Sequence, residues 1–396
     1  MRAIVVGGGI AGPAMGMALR ATGVDAVVLE RSPGDRAAGS WFTIAPNGLA
    51  ALDALGALDP VRGIGVPTRH NIMVGATGNE LGRLPLGGPL DDGTPALSFR
   101  RPELSAALMG EARDRGVEVR YAARAVSAET SAAGAAVVLD DGTRVEGDIV
   151  IGADGIRSVV RTAIDPGAVG GRYVGFDNYG GVTPAASIPG GAGLDPEAWT
   201  FVFGRKAFFG ALPTPAGDVV WFVNEPRPPM SPEERAAQVP GGLIAHLAGL
   251  ARPDAGPFAD LIAAGRLELE GDPTYDLPRV RTWHRGNLAL VGDALHAPSP
   301  SSGQGASMAL EDAVVMAASL RDARGAGLAP GSAFAAFDAA RRRRVERIVA
   351  EGARSSSSKT AGPVARVFQD AMLRWVFRHL VTEKSTSAAY DYRVTL

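Results

Sequence analysis

Short apolar runs alternate with glycine-rich turns and helical patterns along the first third of the chain. Ala3 to Val6 is apolar and stops at Gly7, and a helix-period pattern then runs to about Thr22 and halts at Gly23. A second run, Asp25 to Leu29, ends in Glu30. Two more follow far downstream. Ile149 to Ile151 leads into Gly152-Ala153-Asp154-Gly155, and Leu288 to Val291 stops at Gly292-Asp293. After the latter come a Pro/Ser/Gly loop and a helical pattern opening at about Gly305. This order of strands and helices predicts an α/β fold. The stretch from about 170 to 270 reads differently. Trp199 to Phe203 and Val219 to Val223 are β-type runs between Gly/Pro-rich turns, and 70–94 adds strands to them. Trp199, Phe201 and Phe203 alternate, so they share one face. Beyond 331 the pattern is helical. Ala340 to Arg347 reads as a solvated basic face, Ser355 to Ser358 as a turn, and Phe368 to Leu380 as an amphipathic helix.

The first turn carries chemistry. Gly7-Gly8-Gly9-Ile10-Ala11-Gly12 contains the G-x-G-x-x-G spacing at 7, 9 and 12, set between a strand and a helix. Gly7 permits the tight turn, Gly9 lets backbone approach a pyrophosphate, and Gly12 allows helix to pack on strand. Glu30 stands where a carboxylate can accept the hydroxyls of an adenosine ribose. The loop at 292–305 adds a carboxylate, a glycine-lined surface and a second helix N-terminus, suited to an anionic or electron-rich ligand. A dinucleotide site follows, and the three glycine segments together point to a flavin.

Three segments carry a family resemblance. They are the N-terminal glycine fingerprint, Gly152-Ala153-Asp154-Gly155-Ile156-Arg157-Ser158, and Gly292-Asp293-Ala294-Leu295-His296 continuing to Gly303-Gln304-Gly305 and Glu311-Asp312-Ala313. In this the chain resembles the single-component FAD monooxygenases of the para-hydroxybenzoate hydroxylase type, with Leu295 a small departure from their usual alanine. The resemblance covers essentially the whole chain. It implies a Rossmann-like FAD-binding fold of the glutathione-reductase type, with an inserted β-sheet substrate domain and C-terminal helices. On that reading 1–68, 95–168 and 270–330 bind FAD, 69–94 and 169–269 form the substrate sheet, and 331–396 is a helical segment.

Carried over by position, the resemblance places Gly7, Gly9, Ala11 and Gly12 at the FAD pyrophosphate and Glu30 at the ribose. Arg31, Arg36 and Arg101 fall near the adenosine, phosphates or ribityl chain, and Val126 meets the adenine through its backbone. Asp293 faces the ribityl chain, and Pro300, Gly303, Gln304, Gly305 and Ala306 wrap the isoalloxazine. Asp154 ties the glycine loop to the cofactor region, either directly or from behind. Trp41, after Gly39, either stacks on the flavin, restricts its swinging or fills core. No catalytic residue is singled out; Tyr179, Arg205, His70 and Tyr275 are the polar candidates for orienting a phenol.

Composition narrows the alternatives. The 396 residues are 46% hydrophobic and carry a formal net charge of −2, which gives no reason to expect nucleic acid or an anionic membrane. The absence of cysteine excludes disulfides, thiolate catalysis and the dithiol flavin reductases. No histidine pair has metal spacing, so no metal is expected. A strand begins after one arginine and no apolar run is long enough to span a bilayer, so a cytoplasmic monomer or homodimer is expected. The five tryptophans are never two apart, against the flavin halogenases.

The resemblance implies that NADPH or NADH visits transiently to reduce the flavin, that O2 adds at C4a as a hydroperoxide, and that an electron-rich aromatic or polycyclic substrate attacks it. A helix N-terminus near the flavin N1 and C2=O suits reduced flavin, and the site must be dry. The alternatives are a flavin-dependent reductase or dehydrogenase on the same fold, and a non-catalytic flavin or ligand binder.

Overall fold

A computed structural model describes residues 1–34, 39–132, 134–188, 191–231, 233–234, 239–357, 372, 374–376 and 389–396. The chain opens with β1 (Arg2–Val6), α1 (Ala11–Ala21) and β2 (Asp25–Leu29). After their first residues both strands are buried throughout, which is why their apolar runs are continuous rather than alternating. Next come β3 (Trp41–Ile44), α2 (Pro46–Ala54), α3 (Asp59–Arg62) and β4 (Val66–Pro67). β5 (His70–Gly75) and β6 (Glu80–Pro85) pair antiparallel, and β7 (Leu97–Arg100), α4 (Arg101–Asp114) and β8 (Glu118–Arg120) follow. β9 (Ala125–Ser131), β10 (Gly134–Leu139) and β11 (Arg144–Gly147) make a small antiparallel sheet before β12 (Ile149–Gly152) and α5 (Val159–Ile164).

The middle of the chain is β13 (Arg172–Pro184), β14 (Ala198–Phe203), β15 (Phe208–Pro213), β16 (Asp218–Pro226), α6 (Pro240–Ala251), α7 (Phe258–Ala263) and β17 (Arg266–Asp276). It closes with β18 (His284–Arg285), β19 (Leu288–Leu290), α8 (Asp293–His296), α9 (Gly305–Gly325) and α10 (Pro330–Ser357).

Two large sheets organise the site. One runs β18-β19-β12-β1-β2-β8. It is parallel from β19 to β8, with β18 antiparallel at its edge. Its strand ends at Val6, Gly152 and Leu290 therefore point the same way and deliver three glycine turns to one rim, the place where open α/β sheets bind ligands. The other sheet runs β17-β13-β16-β15-β14-β5-β6.

The two faces of this second sheet have different fates. Tyr179, Val202, Phe209 and Trp221 pack under Leu247 of α6 and Leu261 of α7. On the opposite face Trp199, Leu212 and Val220 cluster with Val66 of β4, and Trp41, Phe201 and Phe222 join them half-buried. Trp41 thus packs against this sheet.

Two sequence expectations change. The run at 341–344 is not a solvated face: Arg341 is fully buried and Arg344 is 8% exposed, and only Arg343 points outward. The cause is a pair of buried acids on α9, described below. Ser355 to Ser357 continue α10 rather than breaking it, because serine costs a helix only a few tenths of a kcal/mol. Most of the amphipathic pattern at Phe368 to Leu380 lies outside the described residues.

Candidate functional site

The glycine loop is built by close contact. Gly7 has φ +108°, and a Cβ there would stand 2.4 Å from the Ala153 carbonyl oxygen; the Gly7 N–H donates to Leu29 O at 2.8 Å. Gly12 is tighter still, with only 1.8 Å between a built Cβ and the Gly7 carbonyl oxygen. A Cβ on Gly9 would meet nothing within 4 Å, so this residue faces open space in front of α1. The first turn of α1 carries no acidic residue and no side-chain cap, leaving its N–H groups toward that space. The loop therefore fits a pyrophosphate.

Glu30 grips this loop. Its carboxylate accepts the Gly8 N–H at 2.7 Å and the Ser32 N–H at 2.7 Å. From the other side the Ser105 hydroxyl of α4 donates to the Gly8 and Gly9 carbonyls at 3.0 and 3.3 Å. Arg101 begins that helix exposed, four residues before Ser105 and so on the same helix face. Arg31 is exposed beside Glu30, and Val126, 49% exposed, is the second residue of β9, three beyond Ala123, whose N–H binds the Glu30 carbonyl at 2.8 Å. Arg36 lies outside the described residues.

Asp154 works from behind. Its carboxylate accepts the Ser158 hydroxyl at 2.5 Å and the Val159 N–H at 2.7 Å, so it is taken up by the start of α5. Burial pushes this carboxyl up from its usual range, against the pull of those donors. What it offers the glycine loop is backbone, packed against Gly7. Arg161 of α5 is buried and donates to the Ala294 carbonyl at 2.9 Å, joining this turn to α8.

The third turn completes the rim. Gly292, at φ +59°, lies so close to Ala11 that a Cβ would approach the Ala11 methyl to 2.9 Å. Asp293 opens α8, with an Oδ1 3.7 Å from where a Cβ on Gly305 would sit. Gly305 starts α9 with no acid in the first turn and no side-chain cap. Pro300 and Ser301 lie in a short 3-10 turn that ends at Gly303, in the left-handed conformation with open space around it, and Ala306 is half-buried. Gln304 is buried beside Asn47 of α2, which donates to Gln304 Oε1 at 2.9 Å and to Glu311 Oε1 at 2.6 Å. Among the described residues Gln304 Nε2 and Asn47 Oδ1 are buried without a hydrogen-bond partner.

Beneath α8 and α9 lies a buried charge network. His296 Nε2 meets Asp312 Oδ2 at 2.6 Å, and that same oxygen accepts the Gly292 N–H at 2.9 Å. Arg341 Nε donates to Asp312 Oδ1 at 2.8 Å and its Nη1 pairs with Glu311 at 2.6 Å. Arg344 donates to both Glu311 oxygens, to the Ala389 carbonyl at 2.7 Å, and lies 4.2 Å from the Tyr392 ring centre. α10 and the C-terminal residues thus hold the turn that carries Asp293.

This network sets a pH dependence. Burial alone would lower the His296 imidazole pKa, but Asp312 holds it above the ordinary 6.5. Burial would raise Asp312, but His296 and Arg341 hold it below the ordinary 3.8. A raised histidine contributes stability fully below pH 6.5 and loses it as pH rises through the folded value, whereas the lowered aspartate loses its share as pH falls below 3.8. Thermal melts of wild type should therefore decline on the alkaline side of neutrality, and His296→Gln should flatten that limb. An unchanged limb would remove His296 as its source.

The polar candidates for substrate contact scatter. Tyr179 is fully buried on the face under α6 and α7. Arg205 is exposed in the β14–β15 turn, its N–H on Asp254 at 3.0 Å. His70 sits among Arg83 and Asp195 at 3.1 and 3.5 Å. Tyr275 lies on β17, edge-on to Tyr173.

Residues 1–188 and 276–352 match the family described as FAD binding domain. The interval left out contains β14 to β16, α6, α7 and most of β17. The chain is 30% identical over 330 residues to an FAD-dependent urate hydroxylase of Mycolicibacterium vanbaalenii, across 81% of this chain and 80% of the relative. It is 31% identical over 327 residues to a 3-amino-4-hydroxybenzoate 2-monooxygenase of Streptomyces cremeus, across 82% and 79%. The crystal structure of Klebsiella pneumoniae HpxO complexed with FAD and uric acid superposes with a TM-score of 0.81 at 25% identity, covering 98% of this chain and 97% of the other.

Proposed function

From the premise that this chain belongs to the FAD binding domain family and is an FAD-dependent monooxygenase, we propose that it hydroxylates an electron-rich aromatic or polycyclic small molecule with NADH or NADPH and O2. The observation that carries the reading is the convergence of two uncapped helix N-termini, α1 and α9, on one rim, with Asp293 between them. Bound FAD supplies the redox chemistry, accepting a hydride and delivering one oxygen atom of O2.

The residues supply position and field. Gly7, Gly9, Ala11 and Gly12 present backbone to the pyrophosphate, and Glu30 stands at the adenosine ribose, with Arg31, Arg101 and Val126 around the adenosine and phosphates. Asp293 takes the ribityl hydroxyls. The loop from Pro300 to Ala306, through Gly303, Gln304 and Gly305, lies along the ring system, where the α9 N-terminus stabilises developing negative charge. The apolar face of the seven-stranded sheet excludes water from the reacting atoms. Among the described residues no helix is long and apolar enough to cross a membrane.

With FAD, NADH or NADPH, oxygen-18 gas and a panel of phenols, the expected product gains one labelled oxygen while nicotinamide is oxidised. Nicotinamide oxidation that yields a reduced, unlabelled product would instead make the protein a reductase.

A further inference from the structure

The face of the seven-stranded sheet turned away from α6 and α7 is an aromatic shelf. In register, Phe222 lies between Gly180 and Gly210, and Asn224 lies between Asn178 and Phe208. A Cβ on Gly210 would come within 2.2 Å of the Phe222 ring and 2.9 Å of the Phe201 ring, so glycine here lets those rings lie down across the sheet. Trp199 and Phe201 stack at 5.9 Å with planes only 13° apart, and Phe201, Phe208 and Phe222 lie within 5.6 to 6.0 Å of one another. Two contacts connect its sheet to the candidate site. Trp41 packs on it from β3, and the end of β17 is tied to the flavin-side loop by the Leu277 N–H on the Ala297 carbonyl at 2.7 Å.

The polar groups among its rings are neutral, and the nearest charge in register, Asp272 beside Asn178, is an exposed anion. The Trp199 indole N–H donates to Ser98 at 3.0 Å, and Asn224 Nδ2 donates to Asn178 Oδ1 at 2.9 Å, leaving amide groups beside the rings. The charged side chains at its border are paired with one another: Glu268 of β17 binds Arg100 at 3.2 Å and Arg266 at 3.1 Å. Phenyl faces carry negative quadrupole potential, so a buried carboxylate would be both desolvated and repelled there, whereas a flat neutral ring system would stack.

We propose that the substrate of this site is a neutral, planar aromatic of at least two fused rings, stacked on the half-buried rings of Phe201 and Phe222 and oriented by the Asn178–Asn224 amide pair, rather than an aromatic carboxylate. This rests on the monooxygenase reading above, and its test is a binding measurement that needs no turnover. The FAD-loaded protein is titrated at neutral pH with 2-naphthol and with 6-hydroxy-2-naphthoate, following the visible flavin spectrum. The neutral probe should bind at least about tenfold more tightly, a modest fraction of what an unpaired buried charge costs. Phe222→Ala should weaken 2-naphthol, and Phe201→Arg, which replaces a half-buried ring, should narrow or reverse the preference by placing a cation on the shelf. Equal or tighter binding of the carboxylate by wild type overturns the inference and leaves the monooxygenase reading standing, as does no binding of either probe to intact holoprotein. A protein that takes up no FAD fails earlier, and overturns the monooxygenase reading itself.

Discussion

Arg341→Met is expected to destabilise the protein by about 3–5 kcal/mol, the order of cost of breaking a buried ion-pair network. The guanidinium is fully buried and is held by Asp312 Oδ1 at 2.8 Å and Glu311 at 2.6 Å, so its removal takes one cation from each of two buried carboxylates, leaving Asp312 to His296 and Glu311 to Arg344. Water cannot reach them without opening the contact between α9 and α10. Arg343→Ala, two residues on and exposed, should change stability by no more than about 0.5 kcal/mol. Adding Arg344→Met to Arg341→Met should deepen the loss, because Glu311 then keeps, among the described residues, only the Asn47 amide. Thermal or urea unfolding measures all three, and equal effects of the Arg341 and Arg343 replacements would contradict the network.

Gly12→Ala should cost about 3 kcal/mol, at the upper end of overpacking penalties. Its new methyl would stand 1.8 Å from the Gly7 carbonyl oxygen. That neighbour is backbone in a loop held by the Leu29 carbonyl, Glu30 and Ser105, so nothing there can rotate aside. Gly110→Ala is the contrast. It lies within α4 with open space around it, and should gain roughly 0.5–1 kcal/mol from helix propensity. A melting temperature for Gly12→Ala close to wild type would mean that the loop is looser than its contacts require.

The parts legible in sequence were those whose cause is local. A glycine needed for a turn announces itself, and so Gly7, Gly12 and Gly292 stand where the structure has its closest backbone approaches. The helix expected at about Gly305 runs Gly305–Gly325, because a Pro/Ser/Gly loop cannot extend it backward. The alternation of Trp199, Phe201 and Phe203 likewise survives as one face of β14.

What was missed depends on partners distant in sequence. Four consecutive arginines look solvated until two of them find Glu311 and Asp312 on a neighbouring helix, 29 to 33 residues earlier. The helical spacing of Arg341 and Arg344, three apart on one face, was the available signal. Asn47 reaches Gln304 across 257 residues, and no local pattern marks it. Tyr179 looked available for a phenol because alternation alone cannot say which face α6 and α7 cover. Register shifts in the β13–β17 pairing, one of them beside Tyr179, blur the count further.

The most direct test of the cofactor site is an FAD titration of wild type, Gly9→Ala and Asp293→Ala, each also melted without flavin. A Cβ on Gly9 meets nothing within 4 Å and Asp293 is half-buried at the rim, so both variants should melt as wild type does. Wild type should bind FAD tightly, and each variant should lose at least about tenfold in affinity, roughly 1.4 kcal/mol or more. Variants that fold and bind FAD as tightly as wild type would contradict the placement of pyrophosphate at Gly9 and ribityl chain at Asp293.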